Sequence, residues 1–204
     1  VAAAAAVFVA ISAGVGGVVW QAHKTALERD QVLAEIRRTD AVKNYLLLMF
    51  RTAGENQGTE PTTAKQVLDQ SAKNLAEQYR DQPQTRAEIV EALGALYLYM
   101  NDAEGAAPLL RGYLKSSDIT PDARAQVTGL LAQAELQLGN KTEARRLLDA
   151  AQAFWNKNPA QNRKALVEFR LTQALIEKEE SGLPTSIRTL QLALLEHDDY
   201  YGRN

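Results

Sequence analysis

Residues 87–114 read AEIVEALGALYLYMNDAEGAAPLLRGYL, and the spacing of their apolar residues indicates how the chain folds. Four of its residues follow one another at spacings of three, one and three, which places them on one face of a helix: Val90, Leu93, Gly94 and Tyr97. A second helical stripe follows after a short polar break: Ala106, Leu110 and Tyr113. The stretch therefore predicts two helices packed as a hairpin.

The same pattern returns 38 residues later, as Thr128, Leu131, Ala132 and Glu135, and then as Ala144, Leu148 and Ala151. A hairpin this short cannot bury both of its faces alone, so we expect the two copies to stack. Small residues in each stripe should let a neighbouring helix come close. The predicted packing positions are Leu93, Gly94, Tyr97, Ala106, Leu131, Ala132, Ala144 and Ala151.

This order of residues resembles the tetratricopeptide (TPR) repeat: an apolar residue, Leu, then Gly or Ala, then Tyr on the first helix, and Ala on the second. The resemblance implies an α-α superhelix. The chain departs from the pattern in its 38-residue period, against about 34 in the family. It also departs at Glu135, where an aromatic residue is expected, and at Tyr113, where Ala is expected.

A third and weaker copy is predicted over residues 159–200. Pro159 should open its first helix, which carries Leu166, Phe169, Leu171, Ala174 and Leu175. Gly182 and Pro184 should form the turn to a second helix with Ser186, Leu190 and Ala193. No polar capping helix follows, and a stack of repeats needs capped ends, so we expect further repeats beyond Asn204.

The composition agrees with an all-α protein. Of the 204 residues, 46% are hydrophobic and 24% charged, and long Ala, Leu, Gln and Glu runs favour helix over strand. The net charge is −2, and basic residues alternate with acidic ones along the chain. The sequence therefore does not show the basic patch that is typical of nucleic-acid-binding proteins. The absence of cysteine excludes disulfides, thiolate metal sites and a cysteine nucleophile.

Residues 1–20 contain no charged residue and are long enough to cross a bilayer as a helix. A signal peptide is the alternative, but such a peptide begins with Met and basic residues, and this chain begins with Val. We therefore predict that the chain is a piece of a longer protein, cut at or inside a transmembrane helix, with Trp20 as the interfacial anchor of that helix. Ser12 with Gly16, and Ala13 with Gly17, are candidate contacts between two such helices, although a generic Ala- and Gly-rich span explains them equally well.

Three further segments follow the predicted span. Residues 21–53 should form a charged juxtamembrane stalk helix, with the apolar run 45–50 docked onto the first hairpin. Residues 54–62 form a linker, and residues 63–200 carry the repeats. Thr63 and Gln66 predict a capping box, and we expect similar N-caps from Asn101 with Glu104 and from Asn140 with Glu143.

No catalytic set emerges from the sequence. His23 and His197 lie far apart, and His197 with Asp198 and Asp199 is better explained as a solvated terminus than as a metal site. Gly14, Gly16 and Gly17 lie in an apolar helix and not after a strand, which argues against a phosphate loop. We predict no catalytic residue, no metal and no cofactor in this chain.

The repeat alignment predicts an inner groove lined by the first helix of each pair. Its candidate partner-binding residues are Glu88, Glu91, Leu98, Tyr99, Gln126, Gln133, Gln137, Glu168 and Lys178, with Ala95, Leu171 and Leu175 beside them. Leu98 and Tyr99 together would anchor a protein or peptide partner. The competing interpretation is that a neighbouring hairpin covers both.

A longer pattern joins these segments. WQA at residues 20–22 is followed by AVKNYLLLMFR at 41–51, TAKQVLD at 63–69, QP at 82–83, RAE at 86–88, and then Leu93, Gly94 and Tyr97. Over residues 1–115 this resembles the region after the kinase domain in bacterial membrane-bound serine/threonine protein kinases that carry TPR repeats. The resemblance implies a kinase domain before Val1, with its ATP and Mg²⁺, and this chain as the sensor outside the cytoplasm.

Two functional hypotheses follow. In the first, a ligand or partner in the groove changes the pairing of two stalks, in a possible homodimer, and the span of a single-pass inner-membrane kinase relays that change. In the second, the chain is a membrane-anchored TPR scaffold for envelope assembly with no kinase. For orientation, the resemblance places the repeats in the periplasm, whereas Lys24, Arg29, Arg37 and Arg38 after the span favour the cytoplasm under the positive-inside rule.

Overall fold

A computed structural model of the chain describes residues 43–47 and 63–202. Within these ranges the protein is all-helical and contains no strand, which confirms the all-α prediction. Residues 43–47 are helical, and eight longer helices follow: α1 (Ala64–Gln78), α2 (Pro83–Tyr99), α3 (Ala103–Leu114), α4 (Pro121–Gln137), α5 (Lys141–Trp155), α6 (Arg163–Glu168), α7 (Arg170–Ser181) and α8 (Leu183–Tyr201).

The helices pack in chain order. α2 packs on α3, α4 packs on α5, and α6 and α7 both pack on α8. α2 also contacts α4, and α4 contacts α7, so the first helices of successive pairs touch one another. The second helix of one pair contacts the first helix of the next, as α3 does with α4 and α5 with α7.

Helix bounds define the register of the three pairs. Equivalent helices of the first and second pairs begin 38 residues apart, at Pro83 and Pro121 and at Ala103 and Lys141. The third pair begins 42 residues after the second, at Arg163 and Leu183. The difference arises because α5 is three residues longer than α3 and the connection after it is one residue longer.

The turns inside the first two pairs have the same hydrogen bonds. The Asp102 N–H donates to the Tyr97 carbonyl at 2.8 Å, and the equivalent Asn140 N–H donates to the Glu135 carbonyl at 2.8 Å. The residue before each takes a left-handed conformation, with φ of 57° at Asn101 and 82° at Gly139. Asn and Gly are the residues that reach this region at least cost.

The two predicted N-caps at these turns differ in outcome. Asp102, not Asn101, caps α3, by accepting a hydrogen bond from the Gly105 N–H at 3.0 Å. Asn101 takes the left-handed conformation of the turn, which moves this cap one residue later. Asn140 is the N-cap residue of α5, as predicted, but its side-chain amide donates to Glu135 at 2.8 Å and makes no capping hydrogen bond.

The third pair also differs from its prediction. Its first helix begins at Arg163 and not at Pro159, because Asn162 closes a turn by donating its side-chain amide to the carbonyls of Trp155 at 3.2 Å and Asn158 at 3.1 Å. The helix is interrupted at Phe169, which separates α6 from α7. Gly182, at φ of 82°, ends α7 and leads into α8, as expected.

The beginning of the repeat region is partly as predicted. The capping box at α1 is confirmed, with Gln66 N–H donating to the Thr63 hydroxyl at 3.2 Å and the Thr63 N–H donating to the Gln66 side chain at 2.8 Å. Tyr45 is buried and donates to the Ser71 carbonyl at 2.8 Å, and burial raises the pKa of its phenol to about 12. Leu47, in contrast, is exposed, so burial of the whole run 45–50 is wrong.

All eight predicted packing positions are buried. At Gly94, an added Cβ would lie 2.7 Å from the Leu110 side chain, so α2 and α3 meet where there is no side chain. Gly129 in α4 fulfils the same role for two aromatic rings, since a Cβ there would lie 2.8 Å from both Trp155 and Phe169. These two rings are buried and stacked, with centroids 5.0 Å apart.

Glu135, where the repeat pattern expects an aromatic residue, is a buried carboxylate in α4. It accepts hydrogen bonds from the Arg111 guanidinium of α3 and from the Asn140 amide at 2.8 Å. A buried carboxylate is tolerated only when it is paired in this way. Glu135 therefore ties the second pair of helices to the first through a charged contact.

The predicted transmembrane helix, the linker and nearly all of the predicted stalk lie outside the described residues. Among the helices formed by residues 43–47 and 63–202, none combines the length and the apolar composition that a membrane crossing requires. Residues 43–47 are the only part of the predicted stalk within the described ranges.

Gly129→Ala is expected to destabilise the protein. The new methyl group would press on two buried rings, which costs about 1–3 kcal/mol, whereas replacing Gly by Ala in a helix returns up to about 1 kcal/mol. Chemical denaturation should therefore show a net loss of about 1–2 kcal/mol. Gly112→Ala is the matched control, because Gly112 is exposed in α3 with nothing near its absent Cβ, and it should stabilise by about 0.5–1 kcal/mol. Equal effects of both substitutions would contradict the close approach at Gly129.

Arg111→Met is expected to lower the free energy of unfolding by about 1–3 kcal/mol. The substitution removes the positive charge beside the buried Glu135 carboxylate, which keeps its hydrogen bond from Asn140. The double variant Arg111→Met with Glu135→Gln should recover most of that loss, since a neutral amide needs no counter-charge. Denaturant titration of the two single variants and the double variant measures the coupling. If the losses of unfolding free energy in the two single variants simply add up in the double variant, Arg111 does not stabilise Glu135.

Candidate partner-binding surface

The first helices of the three pairs present equivalent residues to solvent. Ala95 in α2, Gln133 in α4 and Leu175 in α7 occupy the same position in the register of helix starts, and Tyr99 and Gln137 share the position one turn later. α2 contacts α4 and α4 contacts α7, so these residues lie on successive touching helices. We call this the first-helix face, defined by Ala95, Tyr99, Gln133, Gln137, Leu171 and Leu175.

Most of the first-helix face is accessible. Ala95, Tyr99 and Gln137 are exposed, Leu171 and Leu175 are exposed although they are large and apolar, and Gln133 is half-buried. Single exposed apolar residues are ordinary on a protein surface. Here, however, exposed apolar side chains lie at both ends of the face, with two glutamines between them.

Leu98 and Tyr99 do not form the exposed pair that the sequence suggested. Tyr99 is 90% exposed, whereas Leu98 is only 8% exposed and belongs to the hydrophobic core. Adjacent residues on a helix point about 100° apart, so the packing of α2 on its neighbours covers one and leaves the other in solvent. Only Tyr99 is available to a partner, and Met100 beside it, which the sequence analysis did not single out, is also exposed.

The remaining groove candidates differ in accessibility. Glu168 and Lys178 are exposed, and Glu88 and Gln126 are half-buried, with Glu88 accepting a hydrogen bond from the Gln84 amide at 3.0 Å. Glu91 is buried, with only 8% of its surface exposed, so the prediction that it lines the groove is wrong. The accessible charged candidates are thus two carboxylates, Glu88 and Glu168, and one ammonium group, Lys178.

A polar cluster that the sequence analysis did not identify joins α1 to the first pair. The Tyr97 hydroxyl donates to Asp69 at 2.8 Å, and the Lys65 ammonium group bonds Asp102 and lies 5.7 Å from the centre of the Tyr97 ring. Burial and the hydrogen bond to Asp69 raise the pKa of Tyr97, so its phenol remains a donor at neutral pH. Lys65 in turn lowers the pKa of Asp102. These contacts position α1 against the first pair of helices.

The described residues contain no group of three or more His, Cys, Asp and Glu side chains placed to hold a metal ion. What the first-helix face offers is contact area and hydrogen-bonding groups.

No protein-family model, curated protein or solved structure matches the chain.

Alanine substitutions separate the two roles of Leu98 and Tyr99. Leu98→Ala should lower the unfolding free energy by about 2–4 kcal/mol, because it empties a core position. Tyr99→Ala should change it by less than about 0.5 kcal/mol, because the ring is in solvent. Thermal and denaturant unfolding followed by circular dichroism measures both values. A large loss for Tyr99→Ala would mean that this ring is covered in solution.

Proposed function

We propose that residues 63–200 form a TPR-like superhelix that binds a protein or peptide partner on the first-helix face. The observation that carries the proposal is that Tyr99, Gln137 and Leu175 are all exposed and lie on three first helices that contact one another in chain order. Stacked helix pairs use such faces to hold extended or helical partners. Tyr99 would be the anchor, since exposed aromatic residues supply much of the energy at binding surfaces.

The side chains of the first-helix face indicate which kind of partner would bind there. Tyr99 and the two leucines of α7 favour apolar side chains at two separated points. Gln133 and Gln137 between them can donate to and accept from a peptide backbone. The carboxylates Glu88 and Glu168 favour a partner with basic residues at its edges, which contribute to the association rate more than to affinity.

The wider role is proposed from the sequence resemblance. We propose that this binding region is the non-catalytic sensor of a single-pass serine/threonine protein kinase and that residues 1–53 carry the signal across the membrane. The segment 41–51 and the repeat residues Leu93, Gly94 and Tyr97 support this assignment. The sequence encoded upstream of Val1 tests it directly, because the kinase role requires a glycine-rich loop, a catalytic Asp loop and a magnesium-binding Asp there.

Binding can be tested with peptides selected from a random 16-residue display library on the immobilised full chain. Tyr99→Ala and Leu175→Ala should each raise the dissociation constant about 10-fold, since each removes an exposed anchor worth on the order of 1.4 kcal/mol. Fluorescence anisotropy with labelled peptides measures the constants for the wild-type chain and for each variant.

The matched control is Leu195→Ala, which truncates an exposed leucine of α8 outside the first-helix face. It should leave the dissociation constants unchanged. Selected peptides that respond to Leu195→Ala but not to Tyr99→Ala or Leu175→Ala would contradict the proposed site.

A further inference from the structure

The last helix, α8, keeps the register of a second helix but lacks the cover that the earlier second helices have. Because α8 begins 42 residues after α5, Leu190 is equivalent to Leu148 and, one pair further back, to Leu110. Leu110 and Leu148 are both fully buried, whereas 40% of Leu190 is exposed. Ser186 is buried like its equivalent Ala144, so the same alignment holds where α8 is covered.

In the two preceding pairs, the first helix of the next pair supplies this cover. α3 packs on α4, and α5 packs on α6 and α7, which together form the first helix of the third pair. Hydrogen bonds show which positions of α5 face α7: Lys141 bonds Glu179 at 2.7 Å, Arg145 bonds Glu180 at 2.6 Å, and Gln152 bonds Gln173 at 3.0 Å.

The equivalent positions of α8 are apolar and exposed. Leu183, Ile187 and Leu194 correspond to the three residues of α5 that meet α7. We call these three residues, together with Leu190, the α8 stripe. The α8 stripe therefore continues, one pair further along the chain, an interface that already occurs between α3 and α4 and between α5 and α7.

The α8 stripe also indicates the chemistry of the helix that would cover it. In the second pair, Lys141 and Arg145 meet carboxylates of α7, whereas α8 has Leu183 and Ile187 at these positions. Carboxylates facing these two side chains would be buried without a counter-charge, which is costly. The covering helix should therefore carry apolar residues at the positions equivalent to Gln173, Glu179 and Glu180.

We propose that the α8 stripe is the docking surface for the first helix of a fourth pair, which the chain supplies beyond Asn204. The occupant belongs to the same chain because, in both preceding interfaces, the next pair along the chain provides the cover. With a connection similar to the one after α5, its facing residues fall roughly 10 to 25 residues beyond Asn204. The inference uses the equivalence of the helix pairs and does not depend on the partner of the first-helix face.

Cysteine labelling tests the proposal, because the chain contains no cysteine of its own. Ile187→Cys and Leu190→Cys are made in the chain that ends at Asn204 and in the protein encoded by the whole reading frame. The rate of thiol labelling depends on access of the reagent. Both cysteines should react with a maleimide about 10-fold more slowly in the longer protein, because the next helix covers them there.

The matched control is Leu195→Cys. Leu195 is exposed, and its equivalent in α5, Ala153, is also exposed although α7 packs on α5. This cysteine should react at the same rate in both proteins. A second measurement identifies the cover: a cysteine at the position equivalent to Glu180 in the next helix should form a disulfide with Ile187→Cys within one chain, because Arg145 meets Glu180 in the second pair.

Three results would overturn the proposal. The first is a reading frame that ends too soon after Asn204 to encode another helix, or that continues without apolar residues at the facing positions. The second is equally fast labelling of Ile187→Cys and Leu195→Cys in the longer protein, or absence of the disulfide. The third is protection of Ile187→Cys that increases with the concentration of the chain ending at Asn204, because this would identify a second copy as the occupant.

Discussion

The helices of this protein approach one another most closely at residues with little or no side chain, and this close approach sets the packing of the pairs. Gly94 lets Leu110 reach the backbone of α2, and Gly129 does the same for the stacked rings of Trp155 and Phe169. Protein interiors are packed too densely to absorb an extra methyl group at such points without movement. The distance between helices inside a pair, and from the second pair to the third, is therefore fixed by two glycines. These contacts set the spacing of the helices that carry the first-helix face.

Polar contacts between successive pairs add specificity to this packing. Glu135 bonds Arg111 of the first pair, and Lys141 and Arg145 bond Glu179 and Glu180 of the third. The exposed ion pairs contribute little to stability individually. The buried Glu135 is different, because a helix placed in another register would leave its carboxylate without a counter-charge. At the position where the repeat pattern has an aromatic residue, Glu135 forms an ion pair with Arg111. This ion pair favours one register of the second helix pair against the first.

The proposed binding surface combines apolar and polar groups from several helices. The first-helix face, on α2, α4 and α7, carries an exposed tyrosine, two glutamines and two exposed leucines. The carboxylates of Glu88 and Glu168 lie on α2 and α6 and do not belong to this face. Together these groups suit a peptide with apolar residues and with basic residues at its edges.

The helices, their pairing and most of the buried positions follow from the pattern of amino acids. Apolar spacing of three and four residues marks a buried helix face directly, and the 38-residue repeat of that spacing located equivalent positions such as Gly94 and Ala132. Pro83 and Pro121 fixed the starts of two helices, because proline is favoured in the first turn.

Which positions a neighbouring helix covers depends on tertiary packing, and the structure shows this at several residues. It separated Leu98 from Tyr99, assigned the cap of α3 to Asp102, moved the start of the third pair to Arg163 and buried Glu91. It also showed that Leu190, apolar like Leu110 and Leu148, is exposed. The physical reason is that helical periodicity reports which residues share a side of one helix, whereas burial depends on what packs against that side from distant parts of the chain.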